Sequence, residues 1–314
     1  MKNFLLKVPF IKNLSDKLYN AGEKIFIPGF EKVSLSEVSI FFLKGLSNAS
    51  LGMRASSLAF RFFMAIFPSI IFLFTLIPYV PVENFQDSLL EILSQIMPSN
   101  AYQATKDTIE DLIRNKQGGL LSFGFFFALY LTTNGVHAMI QSFNETSHFE
   151  EHRGSVKIWL VSLLLVTIFT LVLVSGISLL ILSEVLLHNL MEQGWIASGI
   201  GYWSIVAGKW IILLAMFFFG LSFLYYLGPG GKVKFRFISA GSSLATALII
   251  LISTGFGYFV NNFGQYNKLY GSIGTIIVVM LWIYFNTLGI LLGYELNNTI
   301  HHTAESKNKT TTVN

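Results

Sequence analysis

Asn134, His137, Gln141, Glu145, His148 and His152 follow one another at steps of three or four residues, which places them along one face of one helix. The stripe begins inside an apolar segment and ends in a charged one. Polar side chains in hydrocarbon cost about 2–7 kcal/mol when nothing pairs with them, so this face must meet other helices or a wet cavity. Three chemistries fit it: hydrogen bonding between helices, the lining of a substrate path, and metal ligation by Glu145, His148 and His152. The metal reading has no H-E-x-x-H or other catalytic pattern beside it.

Further polar groups stand out against apolar surroundings. Arg61 lies in the first apolar segment, six residues past Ala55, or about 9 Å of helix. Its side chain either snorkels to the headgroups or faces the bundle interior, where Glu295 or an anionic lipid headgroup would neutralise it. With Asn286 of the last segment, the residues Arg61, Asn134, His137, Gln141, Glu145 and Glu295 form the candidate substrate path. Glu184 and Lys209 come to matching depth if the third and fourth segments are antiparallel neighbours, which predicts a structural ion pair, with transport coupling as the alternative.

Two features concern packing and connection. Gly289 and Gly293 form a G-x-x-x-G on the Asn286 face, and Gly241 and Ala245 repeat the spacing one segment earlier, so these are close-packing surfaces, internal or joining two copies of the chain. The stretch NNFGQYNKLYGSIG brings Asn262, Gly264, Tyr266, Asn267, Lys268, Tyr270 and Gly271 to the start of the last segment. It reads as a tight connector with tyrosine anchors at the membrane interface, or as an anion site at a helix N-terminus. Pro68 must kink the first span.

The elements that position these residues follow from composition. The chain has 314 residues, 53% hydrophobic and 12% charged, with mean hydropathy +0.61. A soluble domain carries about 25% charged residues, so the apolar surface left over requires a bilayer. Six blocks reach the length of about 20 apolar residues that a spanning helix needs: roughly 55–80, 119–141, 158–187, 202–227, 235–260 and 273–294. Backbone hydrogen bonds must be made internally in lipid, so the fold class is an all-α polytopic bundle. Between the first two spans, residues 83–118 read as a helical hairpin broken at Pro98, with Leu89, Ile109 and Ile113 among its apolar positions. Before the first span, Ser34 and Glu37 make a capping box opening an interfacial helix. The expected organisation is an N-terminal segment 1–54, a membrane domain 55–300 and a disordered tail 301–314.

The Lys and Arg residues set orientation. One side collects eight up to Arg54, two in 142–157, three in the link carrying Lys232, Lys234 and Arg236, and two in the tail; the other collects three in 83–118 and one in 261–270. Both termini are therefore expected in the cytoplasm, with the hairpin outside. The formal charge of +4 is mostly explained by this topology and gives no reason to expect a nucleic-acid partner. The absence of Cys excludes disulfides, iron–sulfur clusters and thiol catalysis. No phosphate loop or nucleophile elbow occurs, and no cofactor is expected.

Three stretches together carry a resemblance: SLAFRFFMAIFP at 57–68, GVHAMIQSFNETSHFEE at 135–151, and NFGQYNKLYGSIGTIIVVMLWIYFNTLGILLGYELN at 262–297. They resemble the YihY/BrkB family of bacterial membrane proteins, once labelled ribonuclease BN, over most of residues 35–300. The resemblance implies a six-helix protein of the bacterial cytoplasmic membrane with a role in envelope integrity or in moving lipid-like molecules, and no assigned catalytic residue. Family positions matched here include Pro68, Gly135, Asn144, Gly293, Glu295 and Asn297; the chain departs with Arg61 in place of an aromatic residue, and with His137 and Gln141 where basic side chains are frequent. The six His residues cannot build the H-x-H-x-D-H cluster of a zinc-dependent nuclease. The leading expectation is a non-enzymatic protein that binds and translocates a lipid or other amphiphile. The alternatives are an envelope scaffold whose hairpin docks a partner and an intramembrane metalloenzyme.

Overall fold

The computed structural model describes residues 49–79, 86, 87, 89–91, 99–146, 153–192, 199–230, 239–262 and 264–311. Its long helices are α1 (Ala49–Leu76), continued by a 3-10 turn at Ile77–Tyr79, then α2 (Ser99–Arg114), α3 (Gly118–Thr146), α4 (Ser155–Glu192), α5 (Ile200–Leu227), α6 (Ala240–Asn262) and α7 (Gly264–Thr311). No strand occurs among the described residues. Six helices are long and apolar enough to cross a membrane, over Ser50–Tyr79, Gly118–Glu145, Ser155–Glu192, Gly201–Leu227, Ala240–Val260 and Gly274–Ile300. The chain is an all-α polytopic membrane protein. Large apolar side chains lie open on these helices, among them Phe126, Leu182, Ile211 and Leu251 at 65–70% exposure, a surface that water would not tolerate and lipid solvates.

Element ends differ from the sequence reading in instructive ways. Helix α1 starts six residues before Ala55, so Arg54 is helical and its Nε bonds the Ser50 carbonyl one turn back at 3.3 Å. The connector expected at 261–270 is α-helical from Gly264 onward, and α7 runs on through 301–311, where a disordered tail was expected. Neither stretch contains Pro, so once the apolar part of α7 is helical, propagation adds one bond per residue at little further cost. The interfacial helix expected near Ser34, the link holding Lys232, Lys234 and Arg236, and His148 and His152 lie outside the described residues.

Two compact units partition the chain: the described residues of 1–59 with 137–314, and residues 60–136. In the second unit, the later part of α1 and the first part of α3 run antiparallel at close range. A side chain at Gly124 would meet the Phe72 backbone at 3.3 Å, and one at Gly135 would meet the Phe62 ring at 2.9 Å. These two glycines let the backbones approach at levels about three turns apart. The described residues of the 83–118 segment pack on the end of the same helix, with Ile77, Leu90 and Ile113 buried together and Phe74, Leu89 and Ile109 against them. Arg114 ties its halves, with Nη2 donating to Asp87 Oδ1 at 2.7 Å and Nε to Glu110 Oε1 at 3.0 Å. The charge of Asp87, first, raises the Arg114 pKa from its ordinary value.

In the first unit, α4 and α5 pack antiparallel, Gly220 against Phe169 and Gly176 against Leu213, each at 3.5 Å. Their far ends are joined by Lys209 Nζ donating to Glu184 Oε1 at 2.7 Å; the Lys209 side chain is 9% exposed and that of Glu184 70%. Arg153 caps the C-terminus of α5, its Nη1 and Nη2 donating to the carbonyls of Leu227 at 3.2 Å and Gly228 at 2.6 Å, where the helix dipole favours a cation.

Helices α6 and α7 meet through their small residues. A Cβ at Gly293 would lie 2.6 Å from the Gly241 carbonyl oxygen and 2.8 Å from the Ala245 Cβ, and one at Gly289 would sit 3.4 Å from the Leu248 Cβ. The G-x-x-x-G face is thus filled from within the chain. Of the two alternatives the spacing left open, the internal one is the contact seen within this chain. The start of α6 is fixed by side chains. Ser239 Oγ accepts from the Ser242 N–H at 3.0 Å, and Asn297 Oδ1 accepts from the Gly241 N–H at 2.7 Å while its Nδ2 donates to Ser239 Oγ at 3.1 Å. Asn297→Ala frees both helix-start donors it organises and is expected to lower unfolding free energy by about 1–2 kcal/mol, read from the thermal midpoint of purified protein.

Candidate functional site

The sequence stripe on α3 divides on folding. Asn134 is half-buried and belongs to the second unit; His137, Gln141 and Glu145 belong to the first. There the interior side of α3 is taken by Met139, Ile140 and Phe143, all buried. Gln141 faces outward and Glu145 is 67% exposed. Burial of the large apolar residues outweighs burial of the polar ones, because each contributes about 1.5–3 kcal/mol when removed from water and requires no partner. Of the stripe residues described, His137 alone keeps a buried polar atom without a hydrogen-bond partner, Nδ1.

In the first unit a polar cluster forms where α1 begins and α3 ends. Arg54 Nη1 donates to the Ser142 carbonyl at 2.9 Å, its Nη2 to Ser50 Oγ at 3.3 Å, and its Nε stands 4.0 Å from Glu145 Oε2. Arg54 is also the cation whose charge acts on Glu295, a half-buried residue of α7 whose Oε2 is buried with no hydrogen-bond partner. Pairing of Arg61 with Glu295 was one of the alternatives for that cation; in the first unit the charge acting on Glu295 is that of Arg54. Starting the first span at Ala55 had left Arg54 as a topology charge. The i, i+7 spacing of Arg54 and Arg61 was the signal that could have placed both on one helix face.

Around this cluster the first unit is built from an aromatic group. The Phe143 and Tyr294 rings stack with centroids 4.2 Å apart, and Tyr225 lies edge-on to Phe143 at 5.8 Å. The Tyr225 hydroxyl donates to the Ile290 carbonyl at 2.8 Å. Asn144 Oδ1 accepts from the Gly230 N–H at 3.1 Å, which gives that amide a structural task. Asn286 Nδ2 donates to the Trp282 carbonyl at 2.7 Å, but its Oδ1 is buried without a partner, as is Thr246 Oγ1. Sequence reasoning passed over Tyr225, Thr246 and Ser142; as single residues in apolar context they carried no periodic signal.

In the second unit Arg61 Nη1 donates to Asn134 Oδ1 at 3.3 Å. The sequence stripe and the cation of the first span do meet, at this one position. Of the connector residues, Asn262 ends α6 and Gly264, Tyr266, Asn267, Lys268, Tyr270 and Gly271 lie on the first turns of α7; their side chains are outside the described residues. For the metal set, only Glu145 is described, and it faces Arg54.

The sequence profile of a family described as Virulence factor BrkB matches residues 42–314. The chain belongs to the BrkB family. Among BrkB relatives it is similar to the "Putative ribonuclease-like protein YfkH" of Bacillus subtilis (strain 168), 32% identical over 79% of this chain and 89% of that one. It is similar also to a UPF0761 membrane protein of Tolumonas auensis, 26% identical over 83% of this chain and 84% of the other. A third similarity is to a UPF0761 membrane protein of Xanthomonas campestris pv. campestris (strain B100), 24% identical over 78% of this chain but 56% of that longer protein. No solved structure matches. The BrkB match includes Gly293 and Asn297, whose packing and capping tasks are those described above, and Glu295.

Proposed function

We propose that this BrkB protein binds a lipid or other amphiphile and carries it across the bacterial cytoplasmic membrane, with both termini on the cytoplasmic side. The observation that supports this reading is the set of buried polar atoms without partners in the first unit: His137 Nδ1, Thr246 Oγ1, Asn286 Oδ1 and Glu295 Oε2. Buried polar groups are normally paired, and an orphan inside a membrane bundle costs more than one in a soluble core. Such atoms favour a bundle that admits water or the polar end of a ligand over one that serves as a dry scaffold. The cation and two carboxylates at Arg54, Glu145 and Glu295 supply charge at one end of that interior.

No nucleotide-binding pattern accompanies these residues, so movement is passive or ion-coupled, and neither ribonuclease nor other hydrolytic chemistry is part of the proposal. Purified protein in liposomes is expected to accelerate exchange of fluorescent phospholipid between leaflets. The Glu295→Gln variant, folded to the same thermal midpoint, is expected to lose most of that acceleration. Wild-type protein with no acceleration would turn the reading to a scaffold that docks an envelope partner through residues 83–118.

A further inference from the structure

Arg61 is the sole charged residue in residues 60–79 and 118–136, the membrane segments of the second unit, and those segments contain no Asp or Glu. Its partner among the described residues is an amide, Asn134, which accepts through Oδ1 at 3.3 Å. That bond fixes the polarity of the pair. With its oxygen turned to the guanidinium, Asn134 keeps the Nδ2 donors for something else, and Arg61 keeps the N–H groups of Nε and Nη2. The pair is therefore rich in donors, carries one positive charge and lacks an anion. A guanidinium within a membrane span is stable only when charge-paired or hydrated, and its planar fork suits two oxygens of one oxyanion.

The surroundings select which oxyanion. Arg61 and Asn134 are both half-buried, so a ligand can reach them. Phe60 and Met64 on α1 are 56% and 40% exposed, and Tyr130, one turn from Asn134 on α3, is 55% exposed. A donor pair flanked by open apolar side chains matches a molecule with an anionic head and hydrocarbon tails. Gly124 and Gly135, in contact with Phe72 and Phe62, hold the two helices at the separation that lets the side chains meet.

We propose that Arg61 and Asn134 form a binding site for the phosphate of a phospholipid headgroup, with the acyl chains along Phe60, Met64 and Tyr130. This rests on the reading of the protein as an amphiphile carrier and names the headgroup chemistry. Asn134→Asp is the diagnostic substitution. It keeps size and shape, supplies Arg61 with an internal carboxylate, and so stabilises the fold while repelling phosphate.

The experiment is native mass spectrometry of purified protein offered phosphatidylglycerol and diacylglycerol with the same acyl chains, with and without millimolar inorganic phosphate. Wild type is expected to retain phosphatidylglycerol about 10-fold better, a ratio worth about 1.4 kcal/mol. Asn134→Asp is expected to bring the two lipids within about twofold at an unchanged or higher thermal midpoint, and Arg61→Lys, which keeps charge without the fork, to fall between. Equal retention by wild type, or full selectivity in Asn134→Asp, would overturn the proposal. Displacement of the lipid by inorganic phosphate would overturn the phospholipid as ligand. Selective retention without exchange in liposomes leaves this site standing and removes the carrier reading; exchange without selective retention does the reverse.

Discussion

Gly293→Leu is expected to lower the unfolding free energy by about 3 kcal/mol, the upper end of what overpacking costs, and to leave much of the protein misassembled. Even the first carbon of the new side chain would lie 2.5 Å from the Tyr225 hydroxyl, 2.6 Å from the Gly241 carbonyl and 2.8 Å from the Ala245 Cβ. Backbone on the far side cannot retreat without moving the start of α6, which Asn297 pins through the Gly241 N–H. The Tyr225 bond to the Ile290 carbonyl would go with it. Gly255 is the internal control, because a Cβ there meets nothing within 4 Å. Gly255→Ala should be neutral or stabilise by up to about 1 kcal/mol through helix propensity. Both are read by thermal unfolding followed through tryptophan fluorescence.

The second large effect is at Arg54. Arg54→Leu removes the donor to the Ser142 carbonyl and the cation facing Glu145 and Glu295. Breaking a fully buried charge pair costs about 3–5 kcal/mol; with Glu145 mostly exposed and Glu295 only half-buried, a loss of about 2 kcal/mol is expected here. Adding Glu295→Gln to that variant should restore about 1 kcal/mol, because the stranded carboxylate is then gone. A double-mutant cycle reads the coupling. Additive effects of the two changes would show that Arg54 acts through Ser142 alone.

The membrane fold was legible because lipid leaves one option: a long apolar block must make its own hydrogen bonds, and six such blocks are visible by eye. Helix α2 was legible too, since Ile109 and Ile113 sit at helical spacing and Pro98 directly precedes it. What escaped were features that hydropathy does not encode. Helix at Ala49–Arg54, at Gly264–Ser272 and past Ile300 follows from propagation out of the apolar part, and polar composition conceals it. For Gly289 and Gly293, Gly241 and Ala245 were the hint of a partner within the chain, but spacing alone does not name which surface fills a small-residue face. At the candidate site, Asn134 and Arg61 were both singled out by type and position but were not paired with each other, as they are in the structure. Spacing could not tell that Gln141 would lose the interior to Phe143, nor that Arg54, outside the assumed span, would be a cation acting on Glu295.

In the proposed function, the polar groups inside the bundle serve an amphiphilic ligand rather than only tying helices together. Leaflet exchange of fluorescent phospholipid in proteoliposomes tests it most directly, with wild type, Glu295→Gln and Asn134→Asp reconstituted at equal density and matched thermal midpoints. Accelerated exchange by wild type, with most of the acceleration lost in both variants, is the predicted result. Wild-type exchange no faster than in empty liposomes, or undiminished exchange in both variants, would contradict it.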